Sequence, residues 1–129
     1  MRIAEEEDGR IHKVGGEAEV EQILRVQNSA GMNSFTIFEA EGAPYPMLIV
    51  MANQNYAYLG YFDTEGGSYQ SVGHLPELDP HGHTTFYFGS EYLGYDNMGV
   101  VSFDAGLRAA KEFVSTKQLP GCIEWIKAT

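Results

Sequence analysis

Apolar positions along this chain recur with two periods, and the changes of period divide it into elements. Val20, Ile23, Leu24 and Gln27 fall at the i, i+3, i+4 spacing of one buried helical face. Glu17 and Glu19 stand in the first turn, where carboxylates suit the helix dipole. The spacing predicts a helix from about Glu17 to Asn28. Ahead of it, Ile3, Ile11 and Val14 flank a Glu-Glu-Glu-Asp-Gly turn. Residues 1–16 therefore read either as a weak hairpin or as a loose arm, ended by Gly15-Gly16.

Beyond the helix the period shortens. Ser34–Phe38 is rich in aromatic and β-branched residues, and Met47–Ala52 is a short continuous apolar run. Asn53-Gln-Asn55 is turn-like, and Tyr56–Phe62 follows, so residues 47–62 read as a hairpin. After a turn at Asp63–Gly67, Ser68–Val72 pairs onward as a strand. Gly73–Pro80 reads as loop and Thr84–Phe88 as a strand, whereas Glu91–Met98 follows neither period. Gly99–Val101 is a short strand entering a second helix capped by Ser102. Phe103, Leu107, Ala110 and Val114 form its buried stripe, widened by Phe113. Asp104 with Arg108, and Arg108 with Glu112, are i, i+4 pairs on the wet side. Pro120-Gly121 leads to a last strand, Cys122–Ile126, with Ile123 and Trp125 on one face and Cys122 as a small buried side chain.

Consecutive strands joined by short turns imply antiparallel pairing. The expected fold is α+β: a single antiparallel sheet of about five to seven strands with two helices packed on one face, residues 1–129 forming one domain.

Charge changes this picture. The formal net charge is -10. No lysine or arginine occurs between Arg25 and Arg108, a stretch that holds Glu39, Glu41, Asp63, Glu65, Glu77, Asp79, Glu91, Asp96 and Asp104. The same stretch carries every aromatic except Phe113 and Trp125. A field of one sign attracts a basic partner and opposes nucleic-acid binding. One cysteine excludes an internal disulfide framework and fits a reducing compartment. The acidic start lacks the basic and apolar regions of a secretory signal, and no apolar run has the length of a membrane span. A cytoplasmic protein that binds no membrane is expected.

Candidate chemistry is sparse. His81-Gly-His83, with His74 and Asp79 nearby, is the strongest metal candidate, because a His-x-His pair supplies two of the three or four ligands zinc requires. The carboxylates at 39/41, 63/65 and 77/79 lie at or beside turns, where acids are normally solvated. No Gly-x-Ser-x-Gly elbow and no phosphate-binding glycine fingerprint occurs, and no cofactor is implied. Tyrosine is different. Tyr56, Tyr58, Tyr61, Tyr69, Tyr87, Tyr92 and Tyr95 are too many for one core, and tyrosine beside Asp or Glu forms a contact surface for arginine or lysine.

Ser102-Phe-Asp-Ala-Gly-Leu-Arg-Ala-Ala-Lys-Glu-Phe113, Thr116-Lys-Gln-Leu-Pro120 and Ile123-Glu-Trp125 resemble the closing helix, Pro-containing link and Trp-bearing strand of immunity protein family 1 from bacterial polymorphic toxin systems. Tyr56-Ala-Tyr-Leu-Gly-Tyr-Phe62 and Ser71-Val-Gly73 resemble that family's central hairpin and Ser-x-Gly step. The likeness covers about residues 34–127. It implies a non-enzymatic cytoplasmic antitoxin that covers the active site of a cognate toxin, commonly a nucleic-acid deaminase and among other classes a nuclease. The expected contact residues are Asp63, Glu65, Tyr69, Glu77, Asp79, Glu91, Tyr92 and Asp96. Two other readings stay open: a small metal- or ligand-binding protein using His74–His83, and a catalytic α+β domain with an acidic cleft.

Overall fold

The computed structural model describes residues 1–128. In chain order the strands and helices are β1 (Arg2–Glu5), β2 (Ile11–Lys13), α1 (Glu17–Leu24), β3 (Met32–Phe38), β4 (Met47–Asn53), β5 (Tyr56–Phe62), β6 (Ser68–Val72), β7 (His83–Phe88), β8 (Glu91–Asp96), β9 (Val100–Ser102), α2 (Phe103–Thr116) and β10 (Glu124–Lys127). The fold is α+β. Its antiparallel sheet has eight strands in the order β10-β6-β5-β4-β3-β1-β2, with β9 also paired to β5. That is wider than the five to seven strands expected, because the N-terminal hairpin joins one edge through β1 and β3.

Alternation in the sequence becomes alternation across this sheet. Leu48, Val50 and Ala52 of β4, with Ala57, Leu59 and Tyr61 of β5, face the two helices and join Phe35, Ile37, Leu107, Ala110 and Phe113 in the main core. Gly106 sits where α2 crosses β5: a Cβ there would lie 2.9 Å from the Ala57 methyl, so the close approach of helix to strand depends on glycine. Ser102 caps α2 by accepting the Ala105 amide at 3.1 Å.

The opposite face carries a third layer that the sequence pattern did not disclose. Glu91–Asp96, left without a period, is β8. It pairs only with β7, so Thr84–Phe88 leaves the main sheet and becomes one arm of a separate hairpin. This hairpin packs over Ile49, Met51, Tyr56 and Tyr58, with Phe86 fully buried beneath it. Its outward side is polar or tyrosyl, so no clean alternation marks it in the sequence.

Three local expectations are corrected. Helix α1 stops at Leu24 because Asn28 accepts the Ala30 and Met32 amides, at 2.9 and 3.0 Å, and so turns the chain into β3. Cys122 is exposed and precedes the strand; the Glu112 carboxylate holds the Gly121 amide beside it, and sheet pairing begins at Glu124 opposite Val72. Arg108 forms no ion pair with Asp104 or Glu112 among the described residues. The helices are joined instead by Lys111 and Glu21, 2.6 Å apart.

Candidate interaction surface

The β7–β8 hairpin is held across the sheet by polar contacts to its backbone. Asn53 donates to the Thr85 carbonyl at 2.8 Å and Ser34 donates to the Tyr87 carbonyl. At the hairpin's open end, buried Asn97 accepts from the Thr84 hydroxyl and donates to the Asp79 carbonyl at 2.9 Å, which ties the 73–82 loop to the hairpin. Inside, Tyr58, Phe86 and Tyr95 form a three-ring cluster with centroids 5.1 to 6.2 Å apart. Burial, reinforced by the Asp96 charge, raises the Tyr58 hydroxyl above its ordinary pKa.

Outside, Tyr87 and Tyr92 stack at 4.8 Å. Tyr92, Leu93 and Met98 are 53%, 47% and 60% exposed; Tyr92 lies on the outer face beside Tyr87, and Leu93 on the face of Phe86. Glu91 and Asp96 stand at opposite ends of β8.

The sequence-derived candidates fall into two groups. Glu77, Asp79, Glu91, Tyr92 and Asp96 belong to the hairpin and the loop fastened to it. Asp63 and Glu65 lie in the β5–β6 turn, at the far end of a seven-residue strand and so about 20 Å from the Asn53–Asn55 turn. Tyr69 belongs to neither group. Its ring packs 5.9 Å from Tyr61 on the helical face. The acids also differ in what they do locally. Asp63 accepts the Glu65 and Gly67 amides, Asp79 the His81 amide and Asp96 the Met98 amide, each closing its own turn. Those turn bonds hold the three carboxylates in fixed positions.

The Glu6–Glu7 pair was not among the candidates. Glu6 accepts the Ser90 amide at the hairpin tip, and Asn28 bridges Glu7 to the Tyr92 hydroxyl. These acids lie more than eighty positions from the hairpin tip, and the only sequence signal was their clustering in the N-terminal turn. The eight basic residues lie on β1, β2 and their turn, on or next to the helices, and on β10, and one of them, Arg25, lines a cleft with Glu77 of the 73–82 loop. Strands β3 to β9 carry none.

The histidines do not converge. His74 pairs with Glu124 at 2.7 Å, and His83 lies opposite Asp96 in the hairpin register. No group of three His, Cys, Asp or Glu able to hold a metal occurs among the described residues. Nor is any helix among them long and apolar enough to cross a membrane.

The family model described as Immunity protein Imm1 matches residues 8–127. The chain belongs to that family. No curated protein matches it. In this Imm1 member, the residues that carried the sequence likeness prove to be packing residues. Ser71 accepts the Leu59 amide at 3.0 Å and donates to the Gly99 carbonyl at 2.7 Å. At Gly73 a Cβ would overlap the Val100 carbonyl at 1.6 Å. Phe113 packs edge-on to Tyr61, and Trp125 donates to the Pro120 carbonyl at 2.7 Å.

Proposed function

We propose that this chain is a non-enzymatic immunity protein that binds a basic, nucleic-acid-acting toxin domain, a deaminase or nuclease, and covers its active site with the β7–β8 hairpin layer. One observation carries the reading. The sheet and hairpin between β3 and β9 contain no lysine or arginine, yet they carry exposed tyrosine and preordered carboxylates. A toxin that handles nucleic acid presents a cationic cleft, and a surface of this kind imitates the charge of its substrate. The Glu77, Asp79, Glu91 and Asp96 carboxylates pair with toxin arginine or lysine, and Tyr92 stacked on Tyr87 supplies desolvated contact area. Asp63 and Glu65 form a second, peripheral acidic lip. Partner choice belongs to the same layer, and the protein works in the cytoplasm where the toxin would act.

The test is inhibition of the toxin domain encoded beside this chain's gene. One equivalent of the chain is expected to abolish its action on nucleic acid, and excess substrate is expected to slow formation of the complex. A toxin that remains active when fully bound would contradict active-site covering.

A further inference from the structure

Below the hairpin, the sheet face opposite the helices is left open as a groove of about 220 Å³. Its floor is Ile49 and Gly60, neighbours in the β4–β5 register, and its walls include the rings of Tyr58, Phe62, Phe88 and Tyr95. Gln70, opposite Gly60 on β6, gives one polar wall. The groove exists because residue 60 has no side chain: its neighbours on that face of β5 are Tyr58 and Phe62, and a third large residue between them would fill the space.

Among the described residues, no lysine or arginine lines the groove. The chain carries a net charge of -10, and strands β3 to β9 around the groove hold no basic residue. An aromatic-walled slot of one-side-chain size on so acidic a chain suits a cation better than an alkyl group, because ring faces attract positive charge. Among natural side chains arginine fits best: its planar head stacks on rings and is more weakly hydrated than an ammonium.

We propose that this groove receives an arginine side chain of the basic partner, its stem along Ile49 and Gly60 and its guanidinium among the Tyr58, Phe88 and Tyr95 rings. The proposal rests on the immunity reading for its partner, but the groove can be tested without the toxin. N-acetyl-arginine amide, the isosteric but neutral N-acetyl-citrulline amide, and N-acetyl-leucine amide are each titrated into the isotope-labelled full chain. The arginine amide is expected to shift the Gly60 amide and the Ile49 and Met51 methyl signals, with the other two at least fivefold weaker. Gly60→Val should fill the slot and weaken arginine-amide binding at least tenfold. The backbone accepts it, since a Cβ at residue 60 meets nothing closer than 3.4 Å. Equal binding of leucine or citrulline amide to the unmodified chain, shifts away from the groove, or no effect of Gly60→Val would overturn the proposal. With the toxin, Gly60→Val is expected to raise Kd at least tenfold. Unchanged toxin affinity in Gly60→Val, alongside weakened binding on neutralising the hairpin acids, would remove the groove and leave the immunity reading standing.

Discussion

Ser71 illustrates how much of a residue's role lies outside its sequence neighbourhood. The Ser71-x-Gly73 step was visible as a motif, but its partners, Leu59 and the Gly99–Val100 segment, are supplied by distant strands. The hydroxyl is fully buried and satisfies two backbone groups at the junction of β5, β6 and β9. Ser71→Ala leaves both unpaired, and the expected loss in urea unfolding is about 1–3 kcal/mol with an unchanged m-value. A change within a few tenths would mean that water replaces the hydroxyl. The turn aspartates show the same limit. Asp63, Asp79 and Asp96 were legible as charges at turns, but the amide each one accepts was not. Charge is therefore best removed by Asp→Asn, which keeps the turn-closing oxygen, and not by alanine or lysine.

Elements divided by how their two sides differ. Strands β4 and β5 were legible because their apolar runs are bounded by clear turns, and α2 because its stripe is regular and its cap is a serine. The β7–β8 hairpin was half legible: Phe86 faces a core, but Glu91-Tyr-Leu-Gly-Tyr-Asp96 is largely exposed, so no period marks it. The helix pair was legible without its tie. Glu21 bonds Lys111 of α2 and Arg25 of its own turn, and these cations hold its carboxyl below the ordinary value of 4.5. A carboxyl lowered in the folded state adds stability above its unfolded pKa, and that stability is lost as pH falls through the lower folded value. Thermal unfolding should therefore show Glu21→Gln lowering Tm at neutral pH and reducing the Tm drop below pH 4.5. Parallel curves for the two proteins would exclude this bridge from the acid response.

At the scale of the whole molecule, a one-dimensional gap in basic residues becomes a three-dimensional polarity. The gap coincides with the chain that builds β3 to β9, so cations collect on the helices and the two sheet edges and are missing from the sheet centre and its hairpin. The segregation was legible in the sequence; the layer it would occupy was not, because the folding of β7–β8 onto the second face decides it. A partner approaching that layer meets a predominantly negative field, and its encounter rate should carry the signature of that field.

The most direct measurement is the association rate with the toxin domain across ionic strength, for the unmodified chain and for Glu77→Gln, Asp79→Asn, Glu91→Gln and Asp96→Asn combined. The unmodified chain should slow steeply as salt rises. The variant should associate roughly tenfold or more slowly at low salt, with a flatter dependence, and the two should converge at high salt while Tm stays unchanged. Identical rates and slopes for the two proteins would contradict recognition through the acidic hairpin layer.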